Sequence, residues 1–287
     1  MTRVIDIPTS PGFVTSNWEL FRAIGVTVSP FTGKTRTQEF DAAYWTATLS
    51  LPPMKRSTAA NWQSFLTQLK GPTNHFLLGD PDAKTPQGTY NGTNFTVSTS
   101  VNTGSSAVSI AISGANVTSS GAFANAFAGM HIHITGAANE DNNGTHKISS
   151  KTNSNTVVLD TDFSPDLTDE SFSGKIKQNV KGASAVNLTK VGSGAGTVLA
   201  GDYLGILSGS SASANPKQLV MAVATNNSNG TVHSIQIEPK LRTDLTDGHF
   251  VNFSAPKGLF RLESNTVNWG TNRVSNYGIS FAVREVS

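Results

Sequence analysis

The stretch Trp45–Gly88, WTATLSLPPMKRSTAANWQSFLTQLKGPTNHFLLGDPDAKTPQG, decides how this chain folds. Within Ser57–Lys70, Trp62, Phe65, Leu66 and Leu69 fall at i, i+3, i+4 and i+7, the apolar stripe of an amphipathic helix. Ser57 is the expected N-cap, Pro52-Pro53 bars an earlier start, and Gly71-Pro72 ends the helix. Two apolar segments flank it: Ala43–Leu49 before and His75–Leu78 after, both read as strands. Almost everything downstream has the texture of strands and turns. A lone helix on a sheet, followed by a long β region without a catalytic signature, points to a building block rather than an enzyme.

Composition points the same way. Only 14% of the 287 residues are charged, well under the roughly 25% of an average soluble protein. Gly, Ser, Thr and Asn take up the difference, and they favour turns and β surfaces. A surface this poor in charge suits a protein that packs against copies of itself. Lys plus Arg number 21 against 19 Asp plus Glu, with no basic cluster, so a nucleic-acid partner has no electrostatic support. The absence of cysteine excludes disulfides and thiolate chemistry. The N-terminal MTRVIDIPTSPGFV lacks an apolar run of signal-peptide length, and no segment is apolar enough to span a bilayer, so the expectation is a chain made in a cytosol without a membrane partner.

Three regions follow from the change of texture along the chain. Residues 1–88 alternate apolar runs with turns: Trp18–Arg22 and Ala43–Leu49 read as strands, with Ser29–Lys34 a turn between them. Residues 89–178 are rich in Ser, Thr, Asn and Gly and read as an inserted β domain. Within it, Gly129–Leu159 forms a three-strand meander whose inward positions are Ile132, Ile134, Ile148, Val157 and Leu159. Residues 179–262 read as a small barrel or sandwich, with a hairpin at Asn226–Gly230. The last strand, Tyr277–Val286, has the aromatic, β-branched character of the first region, so 263–287 is expected to return and pair with 1–88.

Sites of chemistry are few. Val191–Gly196 resembles a phosphate loop in glycine content but lacks the following Lys-Ser/Thr, and a hairpin tip is the better reading. His131 and His133 share one strand face with His146 nearby, a spacing a transition metal could use with Glu140 or Asp141. Apolar Met130, Ile132 and Ile134 fill the other face, so the simpler expectation puts the histidines on the solvent side. The acidic run Asp160–Glu170 has no EF-hand spacing and reads as a solvated turn. No cofactor, metal or catalytic residue is assigned.

The order of pieces in the first region resembles the distal tail proteins of long-tailed bacteriophages. WTATLSLPPM, the helix NWQSFLTQLKG, HFLLGDP, a β insertion and a returning strand carry the resemblance, joined more loosely by GDYLGI, IEPKLR, PKGLFRL and ISFAVREV. The resemblance implies a fold that is mainly β with one helix: a split belt domain (β-sandwich plus helix) over 1–88 and 263–287, carrying inserted all-β sandwich or barrel domains. It also implies a structural virion protein whose copies, six in the family, form a ring joining the tail tube protein to the tail-tip hub or baseplate. Under that reading the loop Leu51–Arg56 and the helix are candidates for the subunit contact. Lys55 and Arg56 would pair with an acidic partner or stay solvated, and Trp45, Trp62, Phe65 and Trp269 are interface candidates.

Two rivals follow from the same context. The first is a carbohydrate-binding or adhesion module that meets a host glycan through residues 90–178. Its few aromatic residues (Tyr90, Phe95, Phe123, Phe127, Phe163 and Phe172) make a thin stacking surface. The second is a wall-degrading hydrolase, which lacks a carboxylate pair in an aromatic cleft.

Overall fold

The computed structural model describes residues 3–88, 95–98, 101, 106–190, 197–211, 213–225, 227–229 and 232–286, with the backbone alone at 39, 41 and 227–229. Tyr90, the glycine-rich run 191–196 and the ends of the 226–230 hairpin, Asn226 and Gly230, lie outside the described residues. The chain is mainly β with one α-helix among the described residues. Strands β1 (Thr15–Val28) and β2 (Thr35–Ser50), helix α1 (Arg56–Leu69) and β3 (Phe76–Leu78) come first. Then follow β4 (Phe95–Val97), β5 (Val108–Ser113), β6 (Asn116–Thr118), β7 (His131–Thr135), β8 (Gly144–Lys151), β9 (Thr156–Leu159) and β10 (Glu170–Lys177). β11 (Ala185–Lys190), β12 (Tyr203–Leu207), β13 (Pro216–Ala222), β14 (Asn227–Asn229), β15 (Val232–Glu238) and β16 (Phe250–Asn252) are next. β17 (Gly258–Leu262), β18 (Gly270–Thr271), β19 (Tyr277–Gly278) and β20 (Ser280–Glu285) close the chain. Contacts divide it into two units: Met1–Lys84 with Pro216–Leu219 and Ala255–Ser287, and Thr85–Asn215 with Val220–Ser254.

The first unit is a five-stranded antiparallel sheet in the order β1-β2-β20-β17-β3, with α1 on one face. Residues opposite each other in an antiparallel pair share a face. Ala47↔Val283, Leu49↔Phe281 and Phe76↔Phe260 therefore line the same side, and all six are buried. The helix stripe lies on that side. Trp62 packs at a tilt against Phe13 and Phe281 at 5.6 and 6.2 Å, and Phe65 meets Phe76 edge-on at 5.3 Å. β17 pairs with both β3 and β20, so the C-terminal return begins at Ala255 rather than at 263. Pairing to two partners makes β17 an interior strand of the sheet, which its five residues alone do not announce.

The helix ends differ from expectation in one respect. It starts at Arg56, with Lys55 as N-cap and no side-chain cap: the Lys55 carbonyl accepts from Thr58 and Ala59 N–H, and Ser57 lies within the first turn. At the other end Lys70 takes the left-handed conformation, φ 51°, and its N–H donates to the Thr67 carbonyl, just before Gly71.

The second unit holds two closed barrels among the described residues, each with its own core. Strands β10-β5-β6-β9-β8-β7 close the first around Ile110, Val117, Ile132, Ile134, Ile148 and Val157. The second runs β11-β4-β16-β12-β13-β15, with β15 returning to β11 and β14 appended to β15, around Phe95, Leu188, Ile206, Val220, Ile237 and Val251. Each of the five positions expected to point inward along the meander is at most 1% exposed. β4 lies in the second barrel, between β11 and β16, although its position in the chain precedes the first.

Two substitutions test the first unit's core. Trp62 is 1% exposed and donates its indole N–H to the Ser10 carbonyl, so Trp62→Ala should cost about 3–5 kcal/mol in urea unfolding. An unchanged midpoint in a folded variant would remove Trp62 from the core. Glu285, 1% exposed, accepts from the N–H of Leu219 at 2.7 Å and more weakly from Trp45 at 3.4 Å. Glu285→Ala should cost about 3 kcal/mol by orphaning these donors; a loss under about 0.5 kcal/mol would contradict that role.

Candidate functional site

Most of the exposed large apolar side chains among the described residues of the first unit lie on a strand pair that outruns its sheet. β1 and β2 pair along their full length, from Thr15↔Ser50 to Val28↔Thr35, with a register break between Arg22 and Ile24. β20 joins β2 only over Thr46–Ser50. Beyond the break, residues 24–28 and 35–39 thus form a two-stranded arm, and no third strand among the described residues runs beside it. The tip is a tight turn: Gly33 N–H donates to the Ser29 carbonyl and Ser29 N–H to the Lys34 carbonyl, each at 2.9 Å, with Gly33 at φ 66°. That conformation suits glycine, which has no Cβ to clash.

The period-2 geometry of the arm sorts its side chains by face. Ile24, Val26 and Val28 line one side at 51, 61 and 57% exposure, opposite Glu39, Thr37 and Thr35. Phe40 leans over Gly25 on the other, where a Cβ would lie only 3.3 Å from its ring. Phe31, at the tip, is 96% exposed. At the base, Phe21 stacks on Tyr44 at 4.8 Å, and the Arg284 guanidinium sits 4.3 Å over the Tyr44 ring. Isolated apolar side chains on a surface are ordinary; a contiguous strip of this kind is a candidate interaction site.

The residues expected at an interface are distributed differently. Trp62, Phe65 and Trp45 are buried inside the first unit, the first two in contact with each other and Trp45 donating its indole N–H to the Leu219 carbonyl at 3.0 Å. Their apolar surface is already used by the chain's own core. Lys55 and Arg56 are exposed at the start of α1. Trp269 is 44% exposed beside a groove of about 550 Å³ that includes Ser50, Asn268 and Ser280. Sequence reading placed the tip, Ser29–Lys34, as a turn, and the structure has it there; Ile24, Val26 and Val28 were not singled out, although I24-x-V26-x-V28 alternates at the strand period and could have signalled them.

The candidate chemistry elsewhere is taken up by structure. His131 and His146 are 2 and 3% exposed and His133 is half-buried, contrary to the expectation of a solvent-facing row. The strands of the second barrel cover that side: the Ser234 hydroxyl bonds the His131 ring at 2.9 Å, and Asn187 donates to the His131 carbonyl. His133 bonds Thr145, and His146 bonds Ser164 and the Asn142 carbonyl. Asp160 pairs with Lys147 at 2.8 Å, and Glu170 accepts from the Ala138 and Asn139 amides and the Asn142 side chain. Among the described residues no three His, Asp or Glu side chains converge as a metal site. Of the aromatic residues within 90–178, Phe95, Phe123 and Phe127 are buried and Phe163 and Phe172 are partly buried. No helix among the described residues is long and apolar enough to cross a membrane.

No protein-family model matches this chain, and no curated protein matches it either. The reading of its function therefore rests on the residues themselves.

The buried histidines make stability pH-dependent. Burial, reinforced by the Lys147 charge and opposed by Asp160, lowers His131 from 6.5 to about 4. His133 is lowered by burial and by His146 against Asp244, and His146 by burial against its bond to Asn142. Below pH 6.5 the unfolded chain binds protons that the folded chain refuses, so stability falls as pH drops toward 4. His131 alone should remove about 2 kcal/mol between pH 7 and pH 5. In urea unfolding His131→Asn should show a correspondingly shallower pH dependence; an unchanged slope would refute the assignment.

Proposed function

We propose that this protein is a non-enzymatic structural subunit that assembles with copies of itself into a ring, as the tail-ring proteins that its first region resembles do. The observation that carries the reading is the apolar arm. A two-stranded ribbon in water is marginal on its own, and one that shows Ile24, Val26, Val28 and Phe31 to solvent gains stability only when that face is covered. The low charge of the chain supports the same view, since little repulsion opposes close packing of identical copies. In this reading the first unit is the ring-forming body and the two barrels are carried by it, and a tail tube protein and a tip hub are the partners on either side. The virion is where such a subunit works.

Light scattering behind a sizing column, with negative-stain imaging, tests the proposal. The expected result is a closed particle of about six copies, with a mass near six times the 30.2 kDa chain. A monomer that persists to the highest soluble concentration would overturn self-assembly.

A further inference from the structure

We infer that the contact between the two barrels of the second unit is an acid-released joint: protonation of His131 parts the first barrel from the second while both stay folded. The inference is independent of self-assembly. Strand β10 runs beside β7 only as far as His133. His131 lies one pleat further, and side chains of the second barrel take the place of a strand there. Its amide donates to the Ser234 hydroxyl on β15, and its carbonyl accepts from the Asn187 side chain on β11, each at 2.9 Å. The Ser234 hydroxyl also bonds ring Nδ1 at 2.9 Å. Two residues on, His133 bonds the Thr145 hydroxyl, which accepts from the Ser184 amide at the entry to β11. Val232 of β15 touches the first core, but each barrel otherwise closes around its own, so parting this polar seam leaves both cores covered.

The site suits a neutral imidazole and not a charged one. In either neutral tautomer Ser234 satisfies Nδ1, as acceptor or as donor. Protonation makes both nitrogens donors, and Nε2 is buried with no hydrogen-bond partner, the Phe163 ring lying edge-on to the imidazole at 5.4 Å. Neighbouring charge does not help. Lys147 stands opposite His131 on β8, and Lys177 stands opposite His133 on β10. The carboxylates that act on the two histidines, Asp160 and Asp244, are engaged by Lys147 and by the Lys181 amide, each at 2.8 Å. His146 lies opposite Ile132 inside the first barrel and His233 against Phe95 in the second. β11 and β15 thus bring only the uncharged Asn187 and Ser234 to the ring. Burial above all, then Lys147, against Asp160, lowers His131 from 6.5 to about 4. An imidazolium reaches water only when β11 and β15 withdraw, so opening becomes easier as pH falls below 6.5 and levels off below about 4.

Native-state amide exchange of the full chain in low urea, corrected for the intrinsic pH dependence of the rate, tests the joint. The His131 and Ser184 amides donate across the seam and report its opening. Ile148 and Ala222, bonded to the Met130 and Asp202 carbonyls within the barrels, report unfolding. From pH 7 to pH 5 the seam amides should exchange about 20-fold faster through His131 alone. They should also exchange about tenfold or more faster than Ile148 and Ala222 and respond little to urea, because parting the barrels exposes less surface than unfolding them. His131→Asn cannot ionise, so it should flatten the pH rise. Seam amides indifferent to pH overturn the joint. Seam amides that match the rate and urea slope of Ile148 and Ala222 overturn it as well, since the seam would then open only by unfolding. A rise that persists in His131→Asn overturns the assignment to His131. Should that variant fail to fold, the first two outcomes decide on the unchanged chain.

Discussion

One buried carboxylate holds three distant parts of the chain in register. Glu285 lies on the core face of β20, accepts a hydrogen bond from the Leu219 amide and a weaker one from Trp45, and is shielded from water. Trp45 returns the connection by donating its indole N–H to the Leu219 carbonyl. The short piece Pro216–Leu219 therefore belongs with residues 1–84 and 255–287, although residues 85–215 separate it from the one and 220–254 from the other in sequence. A carboxyl buried here is costly unless its oxygens are met by donors, so its position fixes where the backbone of 216–219 must lie. Apolar packing alone would tolerate sliding between these strands; aligned hydrogen bonds to a buried carboxyl do not.

What the sequence disclosed depended on the range of the interaction. The stripe Trp62, Phe65, Leu66, Leu69 is a local, 3.6-residue pattern, and α1 lies within a residue of its expected bounds at each end. The cap was misplaced because Ser57 has the right chemistry in the wrong register: the chain is already helical at Arg56, held by the Lys55 carbonyl. The return of β20 to the first sheet was legible from its aromatic, β-branched character. The limits of the return were not, since β17 is recognisable as part of that sheet only from its partners β3 and β20. β4 illustrates the same limit, for three residues, Phe95–Val97, carry no periodic signal and their membership in the second barrel is decided by strands 91 to 156 positions further along the chain.

The histidines and the arm failed to show in sequence for opposite reasons. Alternation along β7 correctly separated Ile132 and Ile134 from His131 and His133, but it cannot say whether the polar face meets water or another barrel. Ser234 and Asn187, from β15 and β11, cover that face and turn a surface row into buried, hydrogen-bonded groups. In the arm the residues alternate well on β1, while the partner run Thr35-Arg36-Thr37-Gln38 is polar, so the strand reads as loop. Propensity marks strands that bury a face within their own chain. A ribbon that runs beyond its sheet, with one polar strand, gives only half of that pattern.

The way the arm is built also bears on how it can be covered. β1 is an edge strand, and an uninterrupted edge would invite a neighbour to add a strand along it. The register breaks between Arg22 and Ile24, however, so hydrogen bonds in phase with Thr15–Arg22 fall out of phase with Ile24–Val28. Arg22 sits at that break, and Glu19 lies one turn of the pleat before it, placing charge where a continuous edge pairing would need to run. Edge addition over the whole strand is thus blunted, while the side-chain face and the tip stay open. A contact that uses Ile24, Val26, Val28 and Phe31 needs no shared backbone register, and it ends where the arm ends. The arm thus leaves a side-chain face open while discouraging the open-ended strand addition that an uninterrupted edge invites.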